Sequence, residues 1–157
     1  DLIRVGELDV SEPVDLVGVA RHAAADYQQP GRSVTLEMPS VLVLARGNHL
    51  LLERVIANLL DNAFKHGCIP VQLRLRRHED VAVIEVEDAG TGIEASQQTA
   101  VLDAFARGDA ARTVPGLGLG LAIVRQAIRR MGGRLEFDSR PGRHVVRIQL
   151  FGLDAHD

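Results

Sequence analysis

The stretch LLLERVIANLLDNAFKH, residues 50–66, decides how the rest of the chain is read. Leu52, Val55, Ile56, Leu59, Leu60 and Ala63 recur at i, i+3, i+4, i+7, i+8 and i+11, which is one apolar face of an α-helix. At roughly 100° per residue, Asn58 and Asn62 fall one turn apart on the border of that face, with Arg54, Asp61 and Lys65 just outside it. A polar stripe therefore runs beside a core stripe. A buried amide without partners costs about 1–3 kcal/mol. The two asparagines are thus either solvated or capping amides, or part of a site. Asn48 is placed to cap this helix and Gly67 to follow its last turn.

Two glycine-bearing stretches lie downstream. Residues 86–93, VEDAGTGI, end an expected strand in an acidic residue followed by glycines, and residues 116–121, GLGLGL, open an expected helix. A carboxylate at Asp88 can accept a hydrogen bond from an exocyclic amine of a base, and Gly90 and Gly92 let backbone turn tightly and approach a ring. A D-x-G-x-G sequence is also a common tight turn. Gly116, Gly118 and Gly120 suit a backbone that presents N–H groups to phosphate at a helix N-terminus, or else a structural loop. There is neither a GxGxxG fingerprint after a strand nor a GxxxxGK[ST] loop.

The chain has 157 residues, 46% of them hydrophobic, enough for one domain with its own core. Its net charge of −3 gives no global basic field to recruit nucleic acid, so none is expected as a partner. Arg74, Arg76 and Arg77 read as a solvated strand face in preference to a local basic patch. The single cysteine, Cys68, leaves no internal disulfide, fits a reducing compartment, and is expected to be inert. No apolar run approaches a membrane span and no signal pattern opens the chain. Its start, DLIRVGELDV, has the look of a cut inside a larger protein. Residues 1–12 are expected to be a remnant of a linker or preceding helix, 13–151 the domain, and 152–157 a frayed tail.

Between these landmarks, apolar spacing predicts a helix over 13–28. Short strands are expected at 34–38 and 41–45, pairing or lying near each other. Alternation over 70–77 and 81–87 predicts a hairpin that delivers Asp88 at the end of its second strand. A modest helix is expected over 94–104, then a polar stretch, 106–115, suited to a mobile lid. The glycine-rich helix should run over 116–131, with Leu121, Val124, Ala127, Ile128 and Met131 inward. Strands at 134–138 and 144–150 should flank a turn at 139–143. Helices and hairpins without βαβ alternation predict an α+β sandwich, with helices on one face of a mixed, mainly antiparallel sheet.

Taken in order, the Asn-bearing helix, the Asp88 stretch, Phe105-Ala106-Arg107 and the glycine-rich helix start resemble the N, G1, F and G2 boxes of the ATP-binding domain of bacterial sensor histidine kinases. That domain belongs to the GHKL superfamily with gyrase, the heat-shock chaperone ATPases and the mismatch-repair ATPases, and it implies the Bergerat fold. The resemblance implies ATP and Mg²⁺ as ligands. Asp88, with Gly90, Gly92 and Ile93, would read adenine, and Phe105 would line the site. Gly116, Leu117, Gly118, Leu119, Gly120 and Leu121 would cradle phosphate. Asn62 would hold Mg²⁺, and Asn58 would position a water or phosphate oxygen.

Lys65, the only lysine among 18 basic residues, lies on the Asn stripe and would neutralise phosphate unless it is simply an exposed helix end. His66 stands where many relatives carry an aromatic residue against adenine, and its imidazole would stack less strongly. Arg107 and Arg112 would engage the terminal phosphate, or else be exposed lid charges or contacts to a partner domain.

Where hydrolytic relatives carry a glutamate that activates water, this chain has Asn58, which favours phosphoryl transfer over hydrolysis. None of the six histidines lies in an H-E-L-R-T-P-like setting; His78-Glu79 comes nearest, in an expected hairpin turn. The implied phosphoacceptor therefore sits on a dimerising histidine phosphotransfer domain of the same parent, with a response regulator as next partner. The chain alone is expected to be monomeric, not membrane-bound, and the cytoplasmic part of an inner-membrane sensor. The rival readings are a hydrolytic ATPase of this superfamily and a nucleotide-binding or interaction module without kinase activity.

Overall fold

A computed structural model describes residues 5–31, 33–90 and 118–154. Among the described residues there are seven strands: β1 (Glu12–Asp15), β2 (Val34–Glu37), β3 (Leu44–Gly47), β4 (Val71–His78), β5 (Val81–Asp88), β6 (Arg134–Arg140) and β7 (Arg143–Leu153). The helices are α1 (Leu16–Ala25), α2 (His49–His66) and α3 (Gly118–Arg130), with a 3₁₀ turn at Val5–Glu7. The expected helix at 94–104 and the polar stretch at 106–115 lie outside the described residues.

Helix α2 forms as its pattern dictates. Asn48 is extended and its side chain accepts from the Leu51 N–H, satisfying one orphan donor of the first turn. Leu51, Leu52, Val55, Ile56, Leu59, Leu60 and Ala63 are all buried. They fill the space between the sheet strands β4 and β5 and the flanking helices α1 and α3.

The strand order is β1-β3-β7-β5-β4-β2, with β6 also on β7. Only β2 runs parallel to its neighbour, β4; the other pairs are antiparallel. The period of two assigns the faces. Val71, Leu73 and Leu75 of β4, Ala82, Ile84 and Val86 of β5, and Val146, Ile148 and Leu150 of β7 belong to the core shared with the helices. The three helices thus cover one face of a mixed, mostly antiparallel sheet, the expected two-layer α+β sandwich.

Several local expectations give way to non-local pairing. The helix expected over 13–28 begins at Leu16 because Glu12–Asp15 pairs antiparallel with β3; Asp15 then caps α1 by accepting from the Gly18 N–H. Within the expected linker, Val5 is 5% exposed and belongs to the core. The two short strands do not lie together: β2 joins β4 at one edge and β3 joins β1 and β7 near the other. The last turn is only Pro141-Gly142, Gly142 taking φ +75°. Residues 152 and 153, expected to fray, continue β7. There Leu153 and Gly152 pair with Leu44 and Ala45, the Gly152 N–H donates to Asp80 O at 2.7 Å, and Arg77 donates to Leu153 O and to Asp154 Oδ1.

The outer sheet face is not simply solvated. Glu136, Arg147, Glu85, Arg74 and Glu37 are successive cross-strand partners on β6, β7, β5, β4 and β2. They form a row of alternating charge, with N–O distances of 3.4, 2.7, 3.4 and 3.8 Å. Glu85 is 2% exposed. Burial alone would raise its carboxyl, but the Arg147 hydrogen bond and the charges of Arg76, Arg147 and Arg74 outweigh that and hold it below the usual range.

A depressed carboxyl stabilises the fold above its unfolded value and loses that contribution as pH falls through the folded one. Glu85→Gln should therefore cost about 3 kcal/mol near neutrality, the low end for a broken buried pair because Arg76 and Arg147 reach solvent. The gap between wild type and variant should close as pH drops below roughly 4.3. Urea unfolding at pH 7 and pH 3.5 measures both; a gap of equal size at the two values would contradict the assignment.

Candidate functional site

Strand β5 buries Ala82, Ile84 and Val86 against the helices, and one step further its alternation puts Asp88 on the same face, past the end of the apolar column. Asp88 is 4% exposed. Its Oδ1 accepts from the Gly90 N–H at 2.7 Å and the Cys68 N–H at 3.3 Å. The Ala89 N–H donates to Cys68 O at 2.8 Å, which fastens the strand end to the chain leaving α2. Among the described residues, no hydrogen bond reaches Asp88 Oδ2. The result is an oriented carboxylate with one oxygen fixed and one left to accept.

Glycine is required here for space. A Cβ on Gly67 would lie 2.3–2.5 Å from the Asp88 carboxyl atoms, and one on Gly90 would meet Asp88 Oδ1 at 2.8 Å. Gly67, read from sequence as a residue following the helix end, takes φ −104° and is extended. Its role is to let Asp88 pass. Sequence reasoning missed this, as it missed the Cys68 backbone and His144; only the approach of β5 to the end of α2 reveals them. Cys68 itself is exposed and unbridged.

His144 is the cross-strand partner of Asp88 on the helix-facing side and is 6% exposed. Its Nδ1 lies 2.6 Å from Ser139 Oγ. Burial lowers its pKa, against the opposing pull of Asp88 and Asp138, so near neutrality it is an uncharged neighbour of the carboxylate.

Beside this floor, α2 presents Asn58 and Asn62, both half-buried, while Lys65 and His66 are exposed at its end. Asp61, expected on the same stripe, faces α1 instead: Tyr27 donates to its Oδ1 at 2.7 Å, and the Tyr27 ring stacks on Phe64 at 5.5 Å. Asp61 thus belongs to the α1–α2 contact. The described part of α3 opens with Gly118, Leu119 and Gly120 in its first turn, and Leu121 is buried. Gly92, Ile93, Phe105, Arg107, Arg112, Gly116 and Leu117 lie outside the described residues. Two cavities, of about 250 and 440 Å³, adjoin Val81 at the other end of β5 and include none of the candidate residues.

The fold and the amide-held aspartate at its sheet end define the class: an α+β sandwich with three helices on one face of a mixed, mostly antiparallel sheet. Comparison with known proteins makes this specific. The sequence pattern of the family described as histidine kinase-, DNA gyrase B-, and HSP90-like ATPase matches residues 47–152. The probable sensor histidine kinase TcrY of Mycobacterium tuberculosis is 35% identical over 166 residues, covering 97% of this chain and 35% of that protein. Among solved structures, the mycobacterial sensor histidine kinase MprB superposes with a TM-score of 0.72 at 30% identity, covering 91% of this chain and 98% of that one. The histidine kinase domain of the Escherichia coli osmosensor EnvZ superposes at 0.74 with 29% identity, covering 92% and 90%. This chain belongs to that ATPase family, in its sensor histidine kinase branch. It spans between 15% and 35% of the length of the first curated relatives.

Gly67→Ala should push the Asp88 carboxyl off its two amide donors without disturbing α2, costing about 1–3 kcal/mol for the buried groups left unmatched. Hydrogen exchange at the Gly90 and Cys68 amides should speed up by about tenfold or more if roughly 1.4 kcal/mol of protection is lost at those sites. Unchanged exchange at both amides would show that Gly67 is not needed for Asp88 to pass.

Proposed function

We propose that this chain binds ATP with Mg²⁺ and transfers the γ-phosphoryl group to a histidine on a separate dimerising domain of the same parent protein, a sensor kinase that in turn supplies a response regulator. The observation that carries the reading is Asp88, whose Oδ1 is held by two backbone amides while Oδ2 faces a glycine-bounded floor. Such a carboxylate accepts from the exocyclic amine of adenine; guanine offers a carbonyl at that position and leaves the charge unmatched. Gly90 leaves the floor beside Asp88 without a side chain; Gly92, Ile93, Phe105 and His66 are the further residues proposed to contact the base.

The other candidate residues divide the remaining work. Gly116, Leu117, Gly118, Leu119, Gly120 and Leu121 bring backbone N–H groups and the N-terminal dipole of α3 toward phosphate. Asn62 and Asn58 are one turn apart on α2, half-buried at the edge of the core. A neutral amide oxygen at Asn62 fits a hard cation that keeps most of its waters. Bound there, Mg²⁺ would neutralise phosphate charge. Lys65, Arg107 and Arg112 supply further positive charge toward the terminal phosphate. Asn58, lacking a titratable group, orients a water or phosphate oxygen without activating water as a base, which favours transfer over hydrolysis. Among the described residues no helix is long and apolar enough to cross a membrane; the membrane-bound sensor is the proposed parent.

Calorimetric titration of the chain with ATP and GTP, with and without Mg²⁺, tests the nucleotide assignment. ATP should bind and GTP barely so, and Asp88→Asn should weaken ATP by about 1.5–3 kcal/mol, the range for a hydrogen bond to a charged group. Equal affinity for the two nucleotides would sink the role of Asp88. Asn62→Ala should abolish the Mg²⁺ dependence while circular dichroism stays unchanged; an unfolded variant would make Asn62 structural.

A labelling experiment addresses the acceptor. With γ-labelled ATP and Mg²⁺ the chain alone should incorporate no acid-labile phosphate, and should label an added dimerisation domain of its own parent slowly, since proximity is lost. Phosphohistidine on the chain itself would overturn the assignment.

A further inference from the structure

On the side of α2 away from Asp88 lies a second cluster of chemistry-bearing groups. Among the described residues, His22, His49 and Glu53 each offer one ligand atom, and these three atoms lie within 4.8 Å of one another. His22 Nδ1 is 2.9 Å from Glu53 Oε2, and His49 Nε2 is 3.7 Å from the same oxygen. The cluster is a product of the fold. His22 lies on α1, whose Val19, Ala20, Ala23 and Ala24 are buried. His49 and Glu53 are i and i+4 in the first turns of α2, on one face and pointing the same way. The α1–α2 contact brings His22 to them across a separation of 27 residues in sequence.

We propose that His22, His49 and Glu53 bind a divalent transition-metal ion, Zn²⁺ or a close relative such as Co²⁺, Ni²⁺ or Cu²⁺, which clamps α1 to the N-terminal turns of α2. Two imidazoles and a carboxylate are a borderline ligand set that suits these ions and not Mg²⁺ or Ca²⁺, which take oxygen ligands. With metal–ligand bonds of about 2.0–2.2 Å, tetrahedral neighbours sit roughly 3.3 Å apart. The two distances to Glu53 bracket that edge. The third, between the imidazoles, closes by side-chain rotation alone, because the His22 and His49 side chains are 68% and 61% exposed. The remaining position is open to water, so the ion exchanges with solvent. Glu53 supplies the one negative charge, and the ordinary alternative, a histidine–glutamate ion pair, holds no metal. This clamp is distinct from the proposed Mg²⁺ position at Asn62, nearer the other end of α2, and does not depend on the nucleotide reading.

The test uses the untagged, nucleotide-free chain in a buffer without chelator. Co²⁺ should bind at one equivalent with visible d–d bands of a low-coordinate site, Zn²⁺ should displace it, and Zn²⁺ should raise Tm. His22→Ala, His49→Ala and Glu53→Gln should each weaken binding by about 100-fold or more, since a direct ligand matters at least as much as an outer-shell partner, and should abolish the rise in Tm. Cys68→Ser and His66→Ala, controls for binding elsewhere on the chain, should keep both. Both histidines are exposed and Glu53, although half-buried, is outside the apolar core, so circular dichroism of the variants should match wild type. Absence of stoichiometric Zn²⁺, Co²⁺, Ni²⁺ and Cu²⁺ binding, or binding that survives the three ligand substitutions, overturns the proposal.

Discussion

Helix α2 has to satisfy a dry side and a polar side at once, and the architecture follows from that requirement. Its seven buried side chains meet the sheet and both neighbouring helices. Fully burying a leucine or isoleucine is worth about 1.5–3 kcal/mol, so this face outweighs any local preference of the flanking segments. The position of α2 fixes what its border residues can do. Asp61 turns to Tyr27 and serves the packing of α1, while Asn58 and Asn62, roughly 60° and 100° to either side of it around the helix, remain at the rim. One residue of rotation would exchange these roles.

The sheet separates two kinds of polar chemistry by the same period of two. Residues on the outer face of β5, such as Glu85 and Glu87, are matched across strands to arginines, and the matched row runs through five strands. Because Glu136, Glu85 and Glu37 each stand opposite a guanidinium in the observed register, a slip by one residue would carry charges to the helix side and apolar residues out. The ladder therefore specifies register more than it adds net stability, since burying charge is costly even when paired. On the inner face the same strand ends in Asp88, which no arginine among the described residues pairs with. That asymmetry sets Asp88, the proposed binding group, apart from Glu85, which serves the sheet.

What was legible in the sequence was local. The α2 face, the β4–β5 hairpin, the inner face of α3 and the emergence of Asp88 at a strand end all follow from period and turn chemistry over fewer than 20 residues. What was not legible depended on distant partners. Pro13 and Val14 read as the start of a helix because nothing nearby announces β3 as their partner. The strands at 34–37 and 44–47 look like neighbours, yet β2 is taken up by a parallel edge with β4. Residues 152 and 153 look like a tail, but hydrogen bonds from Arg77 and to Asp80 hold them in the sheet. Gly67 carries the same lesson within the site: a glycine after a helix suggests a left-handed cap, whereas the backbone here is extended and the missing side chain makes room for a carboxylate 21 residues further on.

The pairing of Asp88 with His144 bears on how the carboxylate would act in its proposed role as a reader of adenine. A charged imidazolium at the cross-strand position would neutralise Asp88 and reduce the penalty for meeting a carbonyl instead of an amine. Burial works against that charge: His144 is held below its ordinary pKa, with Ser139 at its Nδ1. Among the described residues, the Asp88 carboxylate is therefore met near neutral pH by two backbone dipoles on one oxygen, which orient it without cancelling its charge. Its second oxygen keeps its full demand for a donor. In the proposed function, discrimination between bases would come from the cost of leaving that demand unmet, and that cost is large only where the surroundings are dry and uncharged. A neutral His144 and glycines at 67 and 90 provide such surroundings.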